Sequence, residues 1–244
     1  MYPIMLTIYK LSLRQMLRPR RLLILMFIAS VPVVLSVVAA IFPPVANDLG
    51  SFRDDILMGP MVISAVLPIV TVVLATASLG HEIEDQTMTY LFLKPVPRWG
   101  LVLPKFLATI TVAGVVVIGS GVLTTAIVPD GSLTTSASVA AGLAVGVLAY
   151  TSIFTWAGLM TSHALALGLV YVFVWEAAIV GFLQGVRWLS VRHYTEATIH
   201  GFDDAQFAGD SGTLDLSQAL PAAGIVIVLF VALAIRRLTR MDVA

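Results

Sequence analysis

Residues 106–128 read FLATITVAGVVVIGSGVLTTAIV, without one charged side chain. About 20 apolar residues, at about 1.5 Å rise each, cross the ~30 Å hydrocarbon layer of a bilayer. A barrel strand needs only about 9–11 residues. Lipid offers the backbone no hydrogen-bond partner, so a run of this length must be a helix bonded to itself. Working outward, five more apolar runs emerge, at residues 22–42, 61–79, 139–160, 164–183 and 219–235. Hydrophobic residues make up 59% of the chain and charged ones 11%, against about 25% charged in a soluble domain. These observations predict an all-α integral membrane fold: a six-transmembrane-helix bundle in one domain, bound to a lipid bilayer. Little chain is left for a soluble catalytic domain.

The net charge is zero, yet the charges are unevenly spread. Lys10, Arg14, Arg18, Arg20 and Arg21 precede the first run. Lys94, Arg98 and Lys105 lie between the second and third, and Arg236, Arg237 and Arg240 close the chain. Only Arg53, Arg187 and Arg192 fall in the alternate loops. The positive-inside rule then places both termini in the cytoplasm, with residues 184–218 as an outer loop. The first run is too long for a signal-peptide core and no small-x-small cleavage site follows it, so it is read as a retained first helix.

Residues 4–18 predict an interfacial helix before that first run. Thr7, Lys10, Arg14 and Arg18 share one face, and Leu6, Tyr9, Leu13, Met16 and Leu17 share another. Its basic charge fits anionic lipid and topology. No base-reading or stacking motif accompanies it, so nucleic acid is not expected. Pro32 and Pro68 predict kinks in the first two spans. Gly142 and Gly146 form a G-x-x-x-G, as do Gly181 and Gly185, which permits close helix packing within or between chains.

The segment 80–105 reads GHEIEDQTMTYLFLKPVPRWGLVLPK. Glu82, Glu84 and Asp85 suit the start of a short helix, where the helix dipole favours anions. Met88, Leu91 and Phe92 follow, and Pro95 stops the helix near Leu93. Pro97 and Arg98 turn the chain back. Physical chemistry leaves two readings: a docking element for a soluble partner, or a solvated connector.

This segment resembles the second loop of the type-2 ABC exporter permeases. The likeness rests on Gly80 to Leu91, then Lys94-Pro95-Val96-Pro97-Arg98 and Lys105-Phe106. It continues in the Trp175-Glu176 pair and in the basic tail Arg236-Arg237-Leu238-Thr239-Arg240. The resemblance implies a coupling helix in 80–105, with Glu82, Glu84, Asp85, Met88, Leu91, Phe92 and Arg98 facing a separate ABC ATPase subunit, two copies of which are expected. It implies a second permease copy, identical or not. It also implies a prokaryotic plasma-membrane location. ATP and Mg would be bound by the ATPase, and no cofactor by this chain.

Independent chemistry in the chain is sparse. No lysine follows a glycine, so there is no G-x-x-x-x-G-K phosphate loop, and cysteine chemistry is excluded because the chain has none. Gly119-Ser120-Gly121 lacks a nearby base and reads as packing. His193, Glu196 and His200 have helical spacing that permits a metal site; a solvated face of an outer helix is the plainer reading. Glu176 is the one clearly intramembrane charge. Such a group is costly in lipid and marks either function or a packing role, with Tyr150, Thr151, Ser152 and Thr155 as possible partners. Three functions follow: an ABC exporter permease, an independent secondary transporter or channel, and a non-transporting membrane scaffold.

Overall fold

The computed structural model describes residues 2–42, 52–84, 99–127, 132–161, 163–180, 184–203 and 214–240. Among them there is no strand. The helices are α1 (Tyr2–Met16), α2 (Pro19–Ile41), α3 (Leu67–Glu84), α4 (Trp99–Ile127), α5 (Leu133–Met160), α6 (Ala164–Val170), α7 (Val191–Phe202) and α8 (Leu216–Arg240). A π-helix, Phe52–Val66, runs directly into α3, and a second, Tyr171–Ile179, continues α6. A 3₁₀ helix, Gln184–Leu189, leads into α7.

Five helical stretches among the described residues are long and apolar enough to cross a membrane: Pro19–Ile41, Phe52–Ser78, Trp99–Ile127, Leu133–Met160 and Leu216–Arg240. Of the fifth apolar run, the described part Ala164–Ile179 is a shorter apolar helix, with an α and a π portion of 7 and 9 residues. The second span is longer than its hydropathy suggested, because its helix begins at Phe52. Arg53, assigned above to a loop, therefore lies in a helical turn beside Asp54. Arg53 is buried there and donates to both carboxylate oxygens of Asp54, at 2.7 and 3.2 Å.

Pro68 sits where π-helix gives way to α-helix. A proline lacks the backbone donor that either pattern would use, so the junction falls there naturally. By contrast, α2 runs unbroken through Pro32, and Ser36 donates to the Pro32 carbonyl at 2.9 Å. Buried hydroxyls in the spans turn back on their own helices. Thr71, Thr76, Thr109 and Thr124 each donate to the carbonyl four residues earlier, which keeps these polar groups satisfied in an apolar setting.

The centre of the bundle is α5, packed against α3, α4, α7 and α8. Ser120 donates across to the Ala29 carbonyl at 2.6 Å, joining α4 to α2 in the packing role expected of it. The outer faces of α2 (Leu23, Ile24, Phe27) and α8 (Ile225, Val228, Leu229) are exposed apolar surfaces of the kind that face lipid. The expected apolar face of α1 divides. Tyr9 and Met16 pack against α4, whereas Leu6 and Leu17 are exposed.

The segment expected to be an outer loop folds back. One face of α7 is buried, including Tyr194, Thr195, Thr198 and Ile199. It lies on α5 at Gly142 and Gly146. A Cβ on Gly142 would stand 2.4 Å from the Ile199 side chain and 2.8 Å from the Thr195 carbonyl oxygen. One on Gly146 would stand 2.5 Å from the Thr195 hydroxyl and 2.7 Å from Leu67. The G-x-x-x-G pair thus serves packing within the chain. Gly181 lies outside the described residues.

This packing is testable. Gly142→Ala should destabilise the protein by about 1–3 kcal/mol, because the Thr195 backbone cannot yield as a side chain can. A methyl at Gly119 meets no atom within 4 Å, so Gly119→Ala should be neutral or slightly stabilising. Thermal unfolding of the two detergent-purified variants gives the comparison. An unchanged Tm in Gly142→Ala would contradict the close contact.

Candidate functional site

The polar cluster of the fold is built around Glu176, on the π-helix Tyr171–Ile179. The residue is 6% exposed. Ser190 donates its hydroxyl to Oε2 at 2.5 Å, and the Val191 backbone N–H donates to Oε1 at 3.0 Å. The Tyr171 hydroxyl donates to Oε1 at 3.2 Å, and Tyr150 of α5 lines the same cavity as the carboxylate. These donors fill most of the roughly four lone-pair sites of a carboxylate.

Each donor is positioned by local structure. Ser190 is the N-cap of α7, accepting from the His193 backbone N–H. Val191 offers one of the N–H groups that no helix can satisfy internally. The carboxylate thus sits at the positive end of α7, where the helix dipole favours an anion. Tyr150 stacks on Phe154 at 5.6 Å, and Phe154 meets Tyr171 edge-on at 6.0 Å. That aromatic triplet places both phenols toward Glu176. The turn into α7 is pinned on each side. Trp175 donates its indole N–H to the Leu189 carbonyl at 3.4 Å, and the Tyr194 hydroxyl donates to the Trp188 carbonyl.

The cluster lies deep within the bundle. At its other end α7 meets the start of α5, where Thr135 donates to Asp203 at 2.7 Å. From Thr135 to Tyr150 the axis of α5 rises about 22 Å at 1.5 Å per residue. The beginning of α7 is therefore well inside a layer ~30 Å thick. Beside Glu176 is a cavity of about 70 Å³, lined by Ser64, Tyr150, Val172, Phe173, Ala177 and Arg192. It has room for several waters. Arg192 is paired with Glu196 at 2.7 Å.

The other expected residues are placed as follows. Of the proposed partners of Glu176, Tyr150 joins it. Ser152 donates instead to Ala149, and the Thr151 and Thr155 hydroxyls are buried without a partner among the described residues. His193, Glu196 and His200 do lie on one helix, α7. Among the described residues no three His, Asp or Glu side chains converge as a metal shell. His193 contacts the Ser190 hydroxyl at 3.0 Å. Glu82 and Glu84 are in the last turn of the α3 backbone rather than at the opening of a new helix. Asp85, Met88, Leu91, Phe92 and Arg98 lie outside the described residues. Just past them, Lys105 is 3% exposed and donates to the Ser78 carbonyl at 3.1 Å.

Ser190, Tyr171 and Arg192 were not singled out from sequence. A signal for Ser190 existed: a serine just before an amphipathic run is a helix start. Its partnership with a carboxylate 14 residues earlier had none.

Helices of spanning length around a buried carboxylate that accepts its hydrogen bonds from within the chain define a multi-pass helical membrane protein. Residues 6–243 match the family model described as ABC-2 family transporter protein, nearly the whole chain. The chain belongs to that family, whose members are membrane components of transport rather than catalysts themselves. No curated protein matches it.

The donor set sets a clear expectation. Glu176→Ala would leave the Ser190 and Tyr171 hydroxyls and the Val191 N–H buried without an acceptor, at about 1–3 kcal/mol each. A loss on the order of 3 kcal/mol or more should appear as a lowered Tm. Ser190→Ala should cost about 1–2 kcal/mol, as for a lost cap. A double variant no worse than Glu176→Ala alone would show that the two act through one contact.

Proposed function

We propose that this chain is the permease subunit of an ATP-driven ABC exporter. The observation that carries the reading is the family match over residues 6–243. Two copies, identical or paired with a related chain, would enclose the substrate path in a prokaryotic plasma membrane. Two copies of a separate ABC ATPase would bind ATP and Mg and dock at the segment 80–105, through Glu82, Glu84, Asp85, Met88, Leu91, Phe92 and Arg98. The absence of a phosphate loop from the sequence agrees with hydrolysis in another polypeptide. Lys105 supports the coupling role. Its ammonium binds the Ser78 carbonyl, so the two roots of the loop, on α3 and α4, are tied together. A push on the loop then moves both helices.

A secondary transporter would need an intramembrane group free to take up an ion. Glu176 is already occupied by donors from within the chain. We assign it to holding α7 in place along the transport path, which gives it an effect on flux without a role in ATPase docking.

Docking is tested by copurification. Leu91→Ala with Phe92→Ala should lose the ATPase while inserting normally, since apolar anchors dominate such interfaces. Glu84→Gln should cost about 1 kcal/mol or less, as for an exposed pair. Crosslinking from single cysteines at 238–242 but not at 82–98 would refute the assignment. The orientation, with both termini cytoplasmic, is checked in the same cysteine-free background. An impermeant thiol reagent applied to intact cells should label a cysteine at 205 and spare one at 240.

A further inference from the structure

We propose that the exposed face of α1 is a binding surface for anionic phospholipid headgroups. The sequence supplies the charge: residues 1–47 contain five basic side chains and no aspartate or glutamate. The fold supplies the geometry. Lys10 and Arg14 are exposed one helical turn apart, the spacing at which two side chains become neighbours on a helix surface. Arg18 and Arg20 are exposed at the turn into α2. Leu6, Leu11 and Leu17 are each about half exposed around these cations. A face of this kind lies at the headgroup boundary, with leucines entering the acyl region and cations at the level of the phosphates.

Two further observations fix that placement. The opposite side of α1 is committed to the bundle. Ser12 and Met16 are buried, and the Tyr9 hydroxyl is 3.0 Å from Thr111 on α4. The helix is therefore held with its basic face outward. Two residues separate it from α2, whose Leu23, Ile24 and Phe27 are exposed. The cations thus stand just above a lipid-facing apolar wall. Arg236, Arg237 and Arg240 are exposed at the same end of the bundle, where Leu238 shares a packed cluster with Ile8 of α1. Charge complementarity selects an anionic over a zwitterionic headgroup. The inference does not depend on the exporter reading.

The chain has no cysteine, so a bimane can be placed singly at Leu11→Cys in the purified full chain, in nanodiscs of phosphatidylcholine. Quenching is then compared between brominated phosphatidylglycerol and brominated phosphatidylcholine. The glycerol lipid should reach half-quenching at roughly tenfold lower mole fraction, and Lys10→Gln with Arg14→Gln should remove most of that preference. Val115→Cys, on the exposed face of α4, should show no preference and confirms that each variant is folded in lipid. Equal quenching by the two lipids at position 11, quenching by neither, or a preference that survives the double substitution would each overturn the proposal. If the double substitution instead spares the preference and abolishes ATPase copurification, the face belongs to a protein partner. Because quenching needs neither ATP nor transport, a failure here leaves the exporter reading standing, and the reverse.

Discussion

One carboxylate at membrane depth determines how the second half of this chain is arranged. An anion removed from water must find donors or lose its charge, and lipid offers none. Glu176 finds them in the first N–H of α7, in the serine that caps that helix, and in Tyr171. The same contact solves a second problem. A helix that begins inside the bundle exposes N–H groups that its own turns cannot satisfy. Carboxylate and helix start are each costly alone and each meets the other's need.

The rest of the arrangement follows from that contact. For α7 to begin beside Glu176 and still lie along α5, the two helices must approach closely. Gly142 and Gly146 remove the side chains that would prevent it, and Thr195 and Ile199 occupy the space. The fifth apolar run reaches the same contact from the other side, through Glu176. Its π-helical portion carries Glu176, and π-helical turns recur at functional sites because they re-aim side chains relative to α-helix. The facing wall of the small cavity includes Ser64, from the other π-helix. Irregular helix is thus concentrated where the protein, rather than lipid, can satisfy the backbone.

At the opposite end of the bundle the organising groups are cations. Lys105 joins α3 to α4 at the roots of the segment 80–105. One turn further along α4, Thr109 donates to the Lys105 carbonyl at 2.9 Å and lies against Met16 of α1. The helix that bears the basic surface therefore rests on the helix that receives the loop.

Local sequence properties determined the helices themselves. Hydrophobic length is read residue by residue, so 106–128 and the runs of the first, second, fourth and last spans were legible as membrane helices. So was the uneven distribution of lysine and arginine. Glu176 was legible as the exceptional charge, and the family through the likeness of its loop and tail. Tertiary structure alone decided what Glu176 binds and where α7 lies. Residues 191–202 carry too much polarity to read as membrane helix, because one face packs on Gly142 and Gly146 of α5 rather than on lipid. Hydropathy reports which side chains tolerate lipid and not which distant groups bond. The meeting of Glu176 with the start of α7 is a contact between residues 14 and 15 positions apart, and such pairings leave no periodic trace in a sequence.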